Sequence, residues 1–438
     1  METTLIEATY PLSFHKTEDD VLGKHLKNRH NVVLIGMKRV GISDFLRFFL
    51  YRPEIVDTYI GDGKKHIFIP VDLNDLVERE LRPFWILTLK RLADTVSTSI
   101  TATDEVKKKM EALFSESIQT QDTFLTIDNI RKSLLLLTQN GYMPTLFFLR
   151  FDRIKDVATP EFFSNLEGIK TATQGQVSFV FTSYRNLDML SPHAFPKASL
   201  QSFAHTMYLR PVTYDDGLVI YKTYTTKYDL YISDALQKAL FALVDGYVQY
   251  LHLALILLHE KKDSLPATKE ALEELLLKDE RIYLQSEELW ESLTTDEQAV
   301  LKKVQKGEVL SEGEKVLGKY LWDSGFVDPS ASSGQVIFSP LFAHYVTQKD
   351  KKVMEAGSTE FTKKEQKLFT LLKEHLNEIC EREKIIEGVW AEVEELGVSD
   401  WAIDRLVARV RSKLKMQKSG FEIQTIKTRG YKLISLAV

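Results

Sequence analysis

Gly36-Met37-Lys38-Arg39-Val40-Gly41-Ile42-Ser43 sets two glycines five residues apart, with a hydroxyl two residues beyond the second. A loop of this kind between a strand and a helix lays backbone amides around phosphate oxygens. Its full pattern, G-x-x-x-x-G-K-[ST], adds a lysine that reaches the β and γ phosphates and a hydroxyl that binds magnesium. Ile42 stands where the lysine belongs. Losing one partner of a buried charge pair costs about 2–5 kcal/mol, or about 30-fold to several thousand-fold in affinity at ~1.4 kcal/mol per decade. Two readings stay open: Lys38 and Arg39 hold phosphate from within the loop, or the glycines serve only a tight turn.

A different chemistry sits at the other end of the chain. From Ser399 to Val438 nine basic residues stand against three acidic ones, a local charge of +6, although the whole chain carries 57 basic and 62 acidic residues and a net charge of -5. Ile403, Leu406, Val407, Val410 and Leu414 mark the core face of one helix, which leaves Trp401, Arg405, Ala408, Arg409 and Ser412 on or near its other side. Guanidinium groups one turn apart fit a major groove, where Arg donates two hydrogen bonds to guanine or clamps a phosphate. Lys427 and Arg429 follow at a turn closed by Gly430.

Both groups need elements to hold them. NVVLIG before the first loop reads as a strand, and the run after it, with Phe45, Phe48, Phe49 and Leu50 inward, as a helix. Apolar runs at KHIFIPVDL, PTLFFLRF and QVSFVFTS alternate with helical stretches such as FWILTLKRLADTV and IDNIRKSLLLLTQ, which predicts a parallel sheet with helices on both faces. MYLRPV at 207–212 offers a further strand. Residues 213–290 carry helical periodicity throughout and read as a helical lid. Thr294 and Glu297 have capping-box spacing, and helices then a hairpin suggest a winged helix over 291–346. The polar run 347–360 reads as a linker. A second box, Thr362 with Glu365, opens a unit at 361–438, whose third helix begins at Ser399 and whose final hairpin is FEIQTI, a KTRG turn and YKLI. The expected fold is multidomain, α/β plus α: a parallel-sheet domain at 1–212, the lid, and two winged helices.

Several functions are excluded. Cys380 is the sole cysteine, so no disulfide forms within the chain, and no Cys and His cluster has zinc spacing, which fits a reducing, cytosolic compartment. His193 and His205 have no partners at metal spacing, while His252 and His375 sit on apolar helix faces, so no metal site is expected. No G-x-S-x-G elbow supports nucleophilic catalysis. The longest charge-free stretch, Ser133 to Leu149, is broken by Gln139, Asn140, Gly141 and Pro144, so no membrane span is expected. The first residues lack the basic and apolar regions of an export signal.

FTKKEQKLFTLL, IIEGVWAE, SDWAIDRLVARVRSKLK and IQTIKTRGYKLI together resemble the OmpR/PhoB-type winged-helix DNA-binding domain over about the last 78 residues. In that family the helix with the V-D-x-x-I-x-x-L-R-x-K-L pattern reads the major groove and the wing's R-G-Y element touches the backbone. The pattern falls on Ile403, Asp404, Val407, Val410, Arg411, Lys413 and Leu414, with Arg429, Gly430 and Tyr431 in the wing. Leu406 and Ala408 depart from it where polar and Arg side chains are common, which weakens base readout. The candidate DNA contacts are Trp401, Arg405, Arg409, Arg411, Lys413, Lys427, Arg429 and Tyr431; Trp401 reads equally as core edge or backbone contact, and Trp390 as core.

Around the amino-terminal loop, about residues 12–345 resemble the STAND and AAA+ class of P-loop regulators, including origin-recognition-like ATPases. PTLFFLRFDRI resembles a Walker B strand, QVSFVFTSYRNL the sensor strand after it, LRPVTYDDGLVI the L-x-P-L-x-x-x-E-A segment and VDGYVQYLHLAL the G-H-P-x-x-L helix, where Tyr247 and Val248 replace histidine and proline. One alignment puts the metal-binding and catalytic acids on Leu149 and Arg150; another makes Asp152 the metal ligand. The candidate nucleotide site is Gly36, Lys38, Arg39, Gly41, Ser43 and Asp152, for ATP or ADP with magnesium, and efficient hydrolysis is not expected.

The resemblances imply a bacterial, cytoplasmic DNA-binding transcription regulator in which a degenerate P-loop module serves as switch or scaffold. Its partners would be double-stranded DNA and either a second copy or a protein signal, with no membrane. A nucleotide-dependent DNA-associated ATPase is the alternative, and an interaction scaffold that uses its winged helices for protein contacts is a third reading.

Overall fold

Val32–Gly36 (β1) has no polar side chain and every residue is buried, the condition of a strand covered on both faces. The structure, a computed structural model, describes residues 5–61, 65–98, 102–195, 203–328, 335–352, 361–390, 400–417, 419–426 and 429–435. β1 pairs in parallel with Ser178–Ser183 (β4) on one side and His205–Leu209 (β5) on the other. Tyr142–Leu149 (β3) follows β4, and Lys65–Asp72 (β2) forms the edge, giving the parallel order β2-β3-β4-β1-β5. All five expected strands form. Phe148 and Phe181 point from β3 and β4 into a core with Phe84, Trp85 and Phe162 from the covering helices, where Phe84 lies 5.1 Å from Phe148 and 5.0 Å from Phe162, while Phe147 points to the opposite face and packs against Phe49 at 6.4 Å.

The chain divides into two units. One comprises Met1–Ile282 and Ser292–Ala343, the other Tyr283–Glu291 and His344–Val438. In the first, helices occupy 214–227, 234–244, 248–260 and 269–278 after the sheet. Then Thr294 and Glu297 close the capping box, and Val327–Asp328 (β6) pairs antiparallel with Val336–Ile337 (β7) behind three short helices. Glu297 has a second role: Arg185 pairs with it through two bonds of 2.6 Å, and both side chains are buried.

In the second unit, helices Lys363–Glu374, Arg382–Val389 and Asp400–Met416 precede the hairpin Phe421–Ile426 (β9) and Gly430–Ser435 (β10), with Cys380–Glu381 (β8) completing a sheet of order β8-β10-β9. Thr362 and Glu365 form their box. Leu368, Leu372, Ile385, Val389 and Trp390 pack against the inward stripe of the third helix. Gly430 has φ +143, and a Cβ there would lie 2.1 Å from the carbonyl oxygen of Cys380, so only glycine lets β8 and β10 approach. The linker expected from 347 begins later than read, because helix Pro340–Lys352 runs through Lys352. TQKDKK lacks Gly and Pro and is dominated by residues that tolerate helix well. Residues 353–360 and the expected helix start at Ser399 lie outside the described residues.

The histidines differ from expectation. His205 opens β5 opposite Val32, and this register sets it beside His25 and His30. Among the described residues, no helix is long and apolar enough to cross a membrane.

Candidate nucleic-acid interface and the amino-terminal loop

The 3,4 spacing that buries Ile403, Leu406, Val407, Val410 and Leu414 to 2% exposure or less carries Arg405 and Arg409 to the side away from that stripe. Both guanidinium groups are half-buried and engaged within the second unit. Arg409 Nη1 donates to Glu287 Oε2 at 2.9 Å. Arg405 pairs with Glu291 and lies 3.8 Å from Glu287 Oε1, and Lys349 lies 3.7 Å from the same oxygen. Glu287 is only 2% exposed, so three cations offset the desolvation of one carboxylate. Burial raises the Glu291 pKa against the opposing pull of Arg405. Glu287 and Glu291 are four residues apart, as are Arg405 and Arg409, so the two helices match charge turn for turn.

One turn on, Lys413 Nζ donates to Glu365 Oε2 at 2.7 Å, and Arg409 Nε lies 3.5 Å from Glu365 Oε1. Burial pushes the Glu365 carboxyl up, but Lys413 and the Thr362 amide outweigh it and leave its pKa below the ordinary value.

Arg411 leaves this face. Its Nε donates to the Ile423 carbonyl at 2.8 Å and its Nη2 to Thr425 Oγ1 at 2.7 Å, bracing the helix against β9. Tyr431 is buried and its hydroxyl donates to Asp404, where Arg382 Nη2 also donates at 2.6 Å. Burial, then the Asp404 carboxylate, raises the Tyr431 pKa. In this conformation Arg411 joins the third helix to β9, and Tyr431 joins β10 to Asp404 of that helix. Arg429 is exposed at the wing's turn, its amide bonded to the Ile426 carbonyl at 3.1 Å. Lys427 and the Trp401 side chain lie outside the described residues.

The amino-terminal loop joins β1 to the helix Ile42–Tyr51, with Gly41 at φ +115. Met37 and Val40 are buried, Lys38 is half-buried, and Arg39 and Ser43 are exposed. Tyr247 Oη donates to the Lys38 carbonyl at 2.6 Å, and a Cβ on Gly41 would meet Val248 Cγ2 at 3.0 Å. The two residues that replace histidine and proline thus hold the loop. Lys38 Nζ stands 5.0 Å from the centre of the Tyr184 ring. Burial raises the Asp152 pKa, with Lys38 as the largest opposing charge. Arg150 has φ +58; its amide donates to Thr182 Oγ1 at 2.8 Å and its guanidinium pairs with Asp72 at the end of β2.

This set of side chains does not fit a hydrolytic magnesium–nucleotide centre. Such a centre needs carboxylates at the strand end to hold the metal and orient water. Here a cation stands beside Leu149, the acid opposite Leu149, Asp72, is taken up by that cation, burial raises the Asp152 pKa, and Ile42 brings no charge.

The structure brings Arg405, Arg409 and Lys413 onto one charged face and keeps Lys38 electrostatically coupled to Asp152, while Arg411, Tyr431 and Arg429 stand apart. Sequence reasoning missed Glu287, Glu291, Arg382 and Asp72. Only the first two carried a signal, a four-residue acidic spacing complementary to the arginines.

Residues 356–433 match the family model described as "Transcriptional regulatory protein, C terminal". No curated protein matches the chain. Among solved structures, it is similar to the ORC2 protein of Aeropyrum pernix in its ADPNP-ADP complexes, at 12% identity over 78% of this chain and 95% of that one, TM-score 0.45. It is also similar to a Walker-type ATPase of Pyrococcus abyssi, at 16% identity over 76% and 96%, TM-score 0.46. The Thermotoga maritima RuvB Holliday junction branch migration motor aligns at 12% identity over 81% and 98%, TM-score 0.34. All three scores lie below 0.5, so the parallel-sheet architecture stands on the strand register above. The carboxy-terminal region is a transcriptional-regulator-type winged helix.

Proposed function

We propose that the chain is a cytoplasmic transcription regulator whose carboxy-terminal winged helix binds double-stranded DNA, and that its reading face is closed in this conformation by its own acidic helix. The observation that carries this reading is the pairing of Arg405 and Arg409 with Glu291 and Glu287 on the outer face of the third helix. Groove and phosphate contacts need those guanidinium groups, so DNA and the two glutamates compete for them. Arg429, Lys427 and Trp401 extend the proposed contact toward the wing and the helix start. The acidic helix begins at Glu280 within the first unit's part of the sequence and enters the second at Tyr283. An event in the first unit that draws it away would release the reader, whether a protein signal or a second copy supplies it.

The test is binding to a labelled duplex pool across a salt series. DNA binding weakens steeply as salt rises, Arg429→Ala weakens it on every sequence, and Arg409→Ala also relaxes sequence preference. Salt-independent or absent binding, in the native chain and in Glu287→Gln/Glu291→Gln alike, ends the reading.

A second reading concerns the loop: it retains ATP or ADP, with magnesium, without turning it over. Lys38 beside Asp152 favours it, since that cation is placed within the loop where Ile42 provides none. Calorimetric titration of each nucleotide into the full chain tests it, and no heat up to millimolar concentration leaves the loop a scaffold turn.

A further inference from the structure

We propose that His25, His30 and His205 form a transition-metal site in the first unit, taking a borderline divalent ion such as Zn2+ through three imidazole nitrogens. The site is at the amino-terminal edge of the parallel sheet, the opposite end from the loop at 36–43.

The end of one helix builds two-thirds of it. After Lys27 the chain passes Asn28 and enters the left-handed region at Arg29, φ +56. The Arg29 amide bonds to the Leu26 carbonyl at 3.0 Å and the His30 amide to the His25 carbonyl at 3.0 Å. These are the two bonds of a Schellman motif, which folds the second residue after the cap back onto the third residue from the helix end. A hydrophobic contact ordinarily fills that pair of positions; here both are histidine, and their Nδ1 atoms lie 3.2 Å apart. Asn31 leads into β1, its carbonyl accepting from the His205 amide at 2.9 Å. That register puts the third ring 4.4 Å from His30 and 4.9 Å from His25.

The distances suit a metal. Two nitrogens bound to Zn2+ at 2.0–2.1 Å in tetrahedral geometry stand about 3.3 Å apart, and all three histidines offer nitrogens within 4.8 Å of one another. A set of three imidazoles without a carboxylate selects Zn2+, Co2+, Ni2+ or Cu2+ over Mg2+ or Ca2+. The cations whose charges act on these rings are Lys24 and Lys170, and Lys170 Nζ is held by the Arg29 carbonyl at 2.7 Å and Asn31 Oδ1 at 2.9 Å. Three protein ligands leave a fourth position for water, and His205 is exposed, so exchange with bulk metal is open. A bound ion would fasten the end of the first helix to β5 across a long stretch of chain.

The test uses the full chain stripped with chelator and titrated with Co2+, then Zn2+. We expect one Co2+ per chain with the visible bands of tetrahedral nitrogen ligation, displaced by Zn2+, a Zn2+ dissociation constant of about 10 μM or tighter, and a raised melting temperature with metal. His30→Ala and His205→Gln should each weaken binding at least about tenfold while leaving the metal-free melt unchanged, and His193→Ala should change nothing. His205 is exposed at a strand start, so its variant keeps the test decisive even if His30→Ala misfolds. Absence of one-to-one binding below about 100 μM, or equal affinity in His205→Gln, overturns the proposal.

Discussion

The amino-terminal loop and the outer face of the third helix in the second unit both take on phosphates in the proposed function, and their charges stand differently. At the loop the cation is missing from its usual position: Ile42 stands there, and Arg150 with Asp72 forms a closed pair at the neighbouring strand ends. At the reading face the charges are present and occupied, Arg409 by Glu287 and Arg405 by Glu291. A missing side chain returns only by mutation, whereas an occupied one returns when its partner moves. On the proposed function, regulation therefore belongs to the second region.

The largest test of this contrast removes the occupied cations. In a chain carrying Glu287→Gln/Glu291→Gln, adding Arg405→Gln/Arg409→Gln should lower DNA affinity by about 100-fold or more, measured by anisotropy at fixed salt; a loss under threefold would move the interface elsewhere. Next, Glu287→Gln/Glu291→Gln alone should raise DNA affinity about tenfold over the native chain, within the usual range of a coupling between sites. Unchanged affinity would mean that the pairs do not compete with DNA. Ile42→Lys probes the other side of the comparison. It should raise nucleotide affinity about tenfold by calorimetry without phosphate release, since Arg150 still stands at the end of β3.

The smallest effect separates the units by pH. Asp19 is fully buried, neither carboxyl oxygen has a hydrogen-bond partner, and burial followed by the Glu18 and Asp20 charges lifts its pKa to about 8. Unfolded, it ionises near pH 3.9. Between those values the folded chain binds the extra proton, so stability from this group falls as pH rises through that window and levels off above about 8. Asp19→Asn should raise the melting temperature of the first unit at pH 9 by a few degrees, about 1 kcal/mol, and by little at pH 4. An equal gain at both pH values would point to packing.

The strands were legible because a doubly covered strand is a continuous apolar run, as VVLIG and FFL are. The capping boxes were legible because Thr and Glu three residues apart act locally, and both boxes form where the spacing put them. Arg405 and Arg409 could be placed on the outer face from periodicity alone. Their partners could not, since Glu287 reaches Arg409 only through tertiary packing. His205 was misread for the same reason: its neighbours come from a helix end, joined to it by the β1–β5 register. Tyr247 was noted only as a departure from a pattern, and the bond to the Lys38 carbonyl gives that departure a purpose. Arg411 and Tyr431 fall at family positions associated with DNA, yet here their polar atoms are spent inside the fold.

Cys380 is the sole cysteine of the chain and sits fully buried in β8, under the wing strand β10, with its thiol pKa pushed up by burial. A thiol reagent therefore has a single target, and it reacts only when the second unit opens. The rate of labelling is a clock for that unit alone: release of the acidic helix and duplex capture can each be timed at one sulfur atom, with the first unit silent throughout.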